Sequence, residues 1–163
     1  MAALNLVSGP RAIVRAHSRA VATDILDLAA MADVEVSSEQ DLYPIDHVFD
    51  GQSGSGGSCW VASARGTQSI VLHFRRAPNV ASVTLESEEL ADTREQRLEL
   101  AVWSDGNDSH FQAAARTVRF APYGQSFHRT TWDVHTRGVS RIRVNVTPQP
   151  ETRFATLTSI ILR

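Results

Sequence analysis

Apolar and polar side chains alternate along most of the chain from Asp33 onward. A period of two places successive side chains on opposite faces of a strand, so that one face is buried and the other is solvated. The clearest runs have their apolar members at Ile70, Leu72 and Phe74; Val83 and Leu85; Leu98, Leu100 and Val102; and Ile142, Val144 and Val146. The pattern predicts an all-β chain of about eight strands, folded as an antiparallel β-sandwich or jelly roll.

Turn-forming residues separate these runs. They are Ala77-Pro78-Asn79, Asp105-Gly106-Asn107, Pro122-Tyr123-Gly124, Arg137-Gly138 and Pro148-Gln149-Pro150. Pro and Gly at these points end one strand and start the next. A closing strand is predicted over Ala155–Leu162, and the 163 residues are enough for one main domain over 33–163.

The segment from Tyr43 to Trp60 is the longest stretch without this alternation. Pro44 and the Asp50-Gly51 pair favour turns, and the Gly- and Ser-rich stretch 52–58 offers no side chain that could fill a core. We therefore expect a surface loop there, held to the body of the domain by burial of Trp60. A fixed polar loop is suited to binding and does not by itself indicate catalysis.

Residues 1–32 form a separate N-terminal arm in this interpretation. Val21, Ile25 and Leu28 fall on one face of a helix, so the arm is predicted to be helical over 18–31 or irregular. Such a helix could dock on its own domain, on a protein partner or on a second copy of the chain. The first 23 residues carry three Arg and no acidic residue, which also describes an organelle transit peptide.

The net charge and the cysteine content limit which classes of partner and which cellular compartment we expect for this chain. The net charge is −2, all 16 basic residues are Arg, and no apolar run approaches the length of a membrane span. We therefore do not expect general attraction to nucleic acid or to a membrane. The single Cys59 excludes an internal disulfide and favours a cytoplasmic location.

The order of these features resembles the discoidin, or coagulation-factor type C, family of galactose-binding-like jelly rolls. The motifs that carry the resemblance are Val36-Ser37-Ser38, Tyr43-Pro44, Val48-Phe49-Asp50-Gly51, Cys59–Ser63, Gln68–Phe74, Arg97–Gly106 and Val139–Val146. The segments 88–98 and 155–163 look like a bacterial stand-alone branch of this family, for which no activity is assured. The resemblance covers residues 33–163 and implies a jelly roll that binds ligands through loops at one end.

Many members of this family hold a structural calcium ion near the Asp-Gly loop, with help from a Glu in the last strand. Calcium takes six to eight oxygen ligands, several of them carboxylates. In this chain the loop after Gly51 has no acidic residue, and Ser159 stands at the last-strand position. We therefore expect no metal or other cofactor, with Asp50 as the one weak candidate for calcium.

The chain shows no motif for catalysis. Its six His residues have no metal-ligand spacing, and Cys59 lacks the local signature of a catalytic thiol. It contains no G-x-S-x-G motif, and no Lys follows the Gly-rich stretch as in a phosphate-binding loop. The sequence therefore predicts a binding protein without enzyme activity.

Binding of a sugar requires a flat aromatic ring and side chains that hydrogen-bond hydroxyls in pairs. The candidate ligand-binding residues in the predicted loops are Tyr43, Glu88, Arg94, Phe127, His128 and Arg129. Each also has a structural interpretation: Arg94 lies between Asp92 and Glu95 and could be a surface ion-pair member. The three Trp residues are expected in or beside the core.

Three functions stay open at this point. The first is binding of an oligosaccharide or glycoconjugate, which we take as the leading prediction. The second is a protein-interaction scaffold that uses the N-terminal arm. The third is a nucleic-acid-associated module similar to the N-terminal jelly roll of a DNA-repair scaffold, in which an exposed row of Arg141 and Arg143, joined by Arg116, Arg119 and Arg153, would meet phosphate.

Overall fold

Eleven strands make up most of the part of the chain that the structure describes. The structure, a computed structural model, describes residues 9–14, 24–104 and 111–163, with the backbone alone at 111 and 112. The strands are β1 (Arg11–Ala12), β2 (Ala32–Val36), β3 (Trp60–Arg65), β4 (Gln68–Phe74), β5 (Val80–Glu88), β6 (Arg94–Ser104), β7 (Phe111–Phe120), β8 (Phe127–Thr136), β9 (Val139–Gln149), β10 (Phe154–Leu157) and β11 (Ser159–Leu162). A one-turn helix, α1, spans Leu28–Met31, and a 3-10 helix spans Ile45–Phe49.

The strands form two facing layers. One layer is a six-stranded antiparallel sheet in the order β1-β2-β4-β9-β6-β7. The other contains a three-stranded sheet, β11-β5-β8, and a two-stranded sheet, β10-β3. The antiparallel sandwich predicted from the alternation is therefore confirmed.

Alternation sorts the side chains of each strand between the core and the surface. On β6, Leu98, Leu100 and Val102 are buried between the layers, while the residues between them lie on the outer face. Their neighbours on β9, Ile142, Val144 and Val146, are likewise buried. The core thus consists mainly of Val, Leu and Ile from both layers, which supplies most of the hydrophobic stabilisation.

The predicted closing strand over Ala155–Leu162 is divided in the structure. β10 pairs with β3, whereas β11 pairs with β5, and the two strands meet at Thr158. The backbone N–H of Thr158 donates to the Glu86 carbonyl, which carries the chain from one partner to the next. This division, the two-residue β1, and β3, which was not among the alternating runs, account for the three strands beyond the predicted eight.

The described part of the N-terminal arm packs on its own domain. β1 pairs with β2, Ile13 and Leu28 are buried, and the Arg11 guanidinium forms ion pairs with Glu39 and Asp46 at 3.1 and 3.0 Å. The predicted helix over 18–31 is observed only as α1, capped by the Asp27 side chain, and residues 15–23 lie outside the described part. No helix in the described ranges is both long enough and apolar enough to span a membrane.

Candidate functional site

Trp60 fixes the start of β3 beneath the loops, as the sequence predicts. Its side chain is fully buried, and its indole Nε1–H donates to the Ser38 carbonyl at 3.0 Å. Burial of the ring satisfies both its apolar body and its polar N–H. The segment that precedes Trp60 is therefore anchored at one end.

The Gly/Ser loop, residues 52–58, lies over the outer face of the β11-β5-β8 sheet. Two carboxylates of β5 hold it: Gly54 N–H donates to Glu86 at 2.9 Å, and Gly56 N–H donates to Glu88 at 2.8 Å. The Ser55 hydroxyl also donates to Glu88. Gly54 and Gly56 have φ values of +90° and +81°, a region that glycine adopts without strain. The loop is thus held in one backbone conformation by charge-assisted hydrogen bonds.

Asp50 acts as the turn former at the start of this loop. Its carboxylate accepts from the Gln52 N–H at 2.9 Å and from the Ser58 hydroxyl. This is the turn chemistry expected of Asp before Gly.

The residues around the loop do not fit calcium. The carboxylates of Asp50, Glu86 and Glu88 all accept hydrogen bonds from protein groups. Among the described residues, no three His, Cys, Asp or Glu side chains are grouped so that they could hold a metal ion. Ser159, at the position that the family fills with Glu, lies beside Glu86 in the β11–β5 register.

Arg129 binds the second oxygen of the Glu86 carboxylate, the one that the Gly54 N–H does not contact. Glu86 is fully buried; its Oε1 accepts a hydrogen bond from Arg129 Nε at 2.7 Å and forms an ion pair with Arg129 Nη2 at 2.6 Å. A buried carboxylate needs such a partner because its desolvation is costly. Arg129 therefore balances the negative charge of Glu86 beneath the Gly/Ser loop.

Three of the predicted ligand-binding residues lie together beside this loop. Glu88 pairs with Phe127 and Glu86 pairs with Arg129 in the β5–β8 register, so Glu88, Phe127 and Arg129 share the outer face. Phe127 is half-buried and Arg129 is exposed. We call the Gly/Ser loop together with Glu88, Phe127 and Arg129 the loop-end site.

His128 lies between these residues in sequence but points to the other face of β8. Its Nε2 lies 2.6 Å from the Arg119 carbonyl, and its ring meets Phe120 edge to face at 5.2 Å. These contacts connect β8 to β7. His128 is therefore separated from the loop-end site.

Arg94 requires a correction, because the structure gives it an internal structural role. Its side chain is only 3% exposed and pairs with Glu89 at 2.8 Å, rather than with Asp92 or Glu95 at the surface. Its two remaining nitrogens donate to the Phe154 carbonyl and the Thr156 hydroxyl of β10. With every nitrogen engaged and enclosed, the guanidinium is not accessible to a ligand.

Tyr43 lies at the opposite edge of the same layer from Phe127. Its carbonyl accepts from the Val61 N–H at 3.1 Å, which places it beside β3. β10 and β5 lie between β3 and β8. The two aromatic rings proposed as alternative sugar platforms are thus separated by several strands, and only Phe127 lies beside the Gly/Ser loop.

Sequence reasoning placed Glu86 and Tyr123 at the start of candidate binding loops but did not select either as a ligand-binding residue. Glu86 sits among the apolar residues of a strand, and the signal that could have revealed it is the like-charged Glu88 two positions on, because the two share one face. Tyr123, at the tip of the Pro-Tyr-Gly turn between β7 and β8, is fully exposed.

Cys59, which follows the loop and precedes Trp60, is not poised for nucleophilic chemistry. Burial raises the pKa of its thiol, and the negative charges of Glu88 and Glu89 raise that pKa further. A raised pKa keeps the thiol protonated at neutral pH, the opposite of what a nucleophile needs.

The sequence matches no protein-family model and no curated protein, but its structure has many solved counterparts. The C-terminal domain of a chitobiase from Bacteroides fragilis superposes with a TM-score of 0.61 at 14% identity, covering 86% of this chain and 97% of that one. The family 32 carbohydrate-binding module of NanJ from Clostridium perfringens, solved with galactose, gives 0.57 at 13% identity, covering 85% and 97%. A further module from C. perfringens, in complex with GalNAc-β-1,3-galactose, gives 0.57 at 16% identity, covering 85% and 98%.

The chain has the discoidin-type, galactose-binding-like jelly-roll fold. The fold predicted from the order of the sequence motifs is therefore confirmed. At these identities the likeness establishes the fold alone, and function must be argued from the site. In this discoidin-type jelly roll the site is a Gly/Ser loop held by Glu86 and Glu88, with an aromatic ring and a guanidinium beside it.

Proposed function

We propose that this protein is a non-catalytic carbohydrate-binding module that holds an oligosaccharide at the loop-end site. The observation that carries the proposal is the placement of Phe127 and Arg129 on one face of β8, next to a loop whose conformation is already fixed. Preorganised polar groups beside an aromatic ring reduce the entropy lost when a ligand binds.

The chemistry of this placement suits a sugar. A pyranose presents C–H groups on one face, which would pack on the half-exposed ring of Phe127. Its hydroxyls would accept from Arg129, whose Nε and Nη2 bind Glu86 while Nη1 has no partner among the described residues. The exposed side chains of Gln52 and Ser53 lie on the same loop and can both donate and accept.

The neighbours support galactose-type saccharides as the first probes. The NanJ module was solved with galactose, and the other C. perfringens module with GalNAc-β-1,3-galactose. Both share the fold of this chain at low identity. We therefore propose a galactose-containing oligosaccharide or glycoconjugate as the ligand class, and a reducing, cytoplasmic location stays a prediction from the single Cys59.

Two matched variants test the proposal, because Phe127 and Tyr43 are the two alternative aromatic residues on which a sugar ring could pack. Binding of GalNAc-β-1,3-galactose, and of the strongest ligands on a glycan array, would be measured by titration calorimetry. Phe127→Ala should weaken binding by at least about tenfold, whereas Tyr43→Ala should leave it unchanged. Absence of any glycan ligand, or a loss confined to Tyr43→Ala, would contradict the proposed site.

A further inference from the structure

The outer face of the six-stranded sheet carries an open trough that belongs to a different layer from the loop-end site. Its volume is about 320 Å³, within the range of small-molecule sites. Ala101, Ala113 and Ala115 form its floor, and Arg143 and Asn145 of β9 form one wall. We propose that this trough is a second binding site, for an acidic saccharide whose carboxylate binds Arg143.

The register of three strands creates the trough. Ala101 of β6 pairs with Ala113 of β7 on one side and with Arg143 of β9 on the other. One step along, Glu99 pairs with Ala115 and Asn145 in the same way. Because alanine ends at Cβ, a ring-sized ligand can approach the sheet between the longer side chains of the walls.

Arg143 provides the specificity for an anion. Its guanidinium lies 5.2 Å from the centre of the Trp103 ring, and Arg141 lies over the same ring at 4.1 Å. Stacking on an aromatic ring orients a guanidinium while leaving its N–H edges free. Neither arginine forms an ion pair within the described residues, so a carboxylate can approach Arg143 and bind it bidentately.

The other wall favours a saccharide over nucleic acid. Arg97 pairs with Glu99 at 3.1 Å, so this wall offers a carboxylate that accepts hydrogen bonds from sugar hydroxyls, which a phosphodiester backbone does not supply. The other arginines that the sequence suggested do not join Arg141 and Arg143 in one exposed row. Arg119 pairs with Glu95 and Arg153 with Asp92, while Arg116 is aligned with buried Leu98 on the opposite face of the sheet.

Tri-galacturonate is the probe for this site, and galactotriose is its neutral control. Titration calorimetry should report saturable binding of tri-galacturonate and much weaker binding of galactotriose. The tryptophan emission, to which Trp103 beside Arg143 contributes together with Trp60 and Trp132, should change with the same midpoint. Arg143→Gln should weaken binding by at least about tenfold, and Ala115→Leu, which fills the floor, should do the same. Arg116→Gln and Phe127→Ala should bind tri-galacturonate as the unaltered protein does.

Several results would overturn the trough proposal while leaving the loop-end site intact. They are absence of tri-galacturonate binding, equal affinity for galactotriose, unaltered binding by both trough variants, or displacement of tri-galacturonate by an oligothymidylate at lower concentration. A loss caused by Phe127→Ala instead would place the acidic sugar at the loop-end site. Thermal melting of each variant, compared with that of the unaltered protein, separates lost binding from lost folding.

Discussion

Glu86 and Arg129 face each other across β5 and β8, and their ion pair lies directly beneath the Gly/Ser loop. The Glu86 carboxylate is fully buried, whereas the Arg129 side chain is 54% exposed. One oxygen of Glu86 accepts from Arg129 and the other accepts from the Gly54 N–H. The same carboxylate therefore holds the Gly/Ser loop through one oxygen and is neutralised by Arg129 through the other.

Replacing Arg129 by Met should destabilise the fold, because it leaves the buried Glu86 carboxylate without its cation. We expect a loss of about 2–3 kcal/mol in the free energy of unfolding, measured by urea denaturation. The double variant Glu86→Gln, Arg129→Met should recover part of that loss, since a neutral amide is less costly to bury.

Arg119 supplies the control for this experiment. Its side chain is 77% exposed and its partner Glu95 is 38% exposed. Arg119→Met should change stability by less than about 0.5 kcal/mol, because exposed ion pairs contribute little. Equal effects of the two substitutions would show that the Glu86–Arg129 pair has no special role.

Calcium and chelators should leave the melting temperature unchanged within about 1 °C, because the loop carboxylates already bind protein groups. A site with a dissociation constant of about 10 μM would add about 2.7 kcal/mol at about 1 mM calcium. That stabilisation would raise the melting temperature by about 5 °C or more. A shift of this size, reversed by chelation, would show that a metal site exists after all.

Trp60→Ala should lower the free energy of unfolding by about 3–5 kcal/mol, since the ring is fully buried. Trp60→Phe should cost less, about 1–3 kcal/mol, because it keeps much of the packing but leaves the Ser38 carbonyl without its donor. Tyr123→Ala, at a fully exposed aromatic, is the control and should melt like the unaltered protein. A melting curve for Trp60→Ala that hardly moves would contradict the anchoring role.

Cys59 should react slowly with iodoacetamide in the folded protein. Burial and the neighbouring Glu88 and Glu89 raise its pKa, so the reactive thiolate is scarcer than in the unfolded chain at about pH 8. The rate should rise with pH through a midpoint above the ordinary value of 9.0. Because the unfolded chain loses this proton first, the Cys59 contribution to stability falls as pH rises above that value. A midpoint equal to that in urea would refute the shift.

The sandwich and the burial of Trp60 were predictable because both follow from local pattern. Alternation fixes which side chains of a strand share a face, and a lone large aromatic after a polar loop has few alternatives to burial. The division of the last strand at Thr158 was not predictable, since it depends on which strand each half meets.

The site could be predicted only in part, because its members come from distant parts of the chain. Glu88, Phe127 and Arg129 meet through the β5–β8 register, which the sequence does not reveal. Arg94 was placed at the surface from its neighbours Asp92 and Glu95, whereas its actual partners include β10, some 60 residues further along. The separation of Tyr43 from Phe127 likewise depends on strand order.

The most direct test of the central claim is a backbone amide chemical-shift titration with a galactose-containing oligosaccharide that binds on the array. Perturbed amides should lie in the Gly/Ser loop, at Glu86–Glu88 and at Phe127–Arg129, because these segments form one surface. Perturbations centred on Tyr43 and β3, or spread evenly over the protein, would contradict a carbohydrate site at this end of the jelly roll.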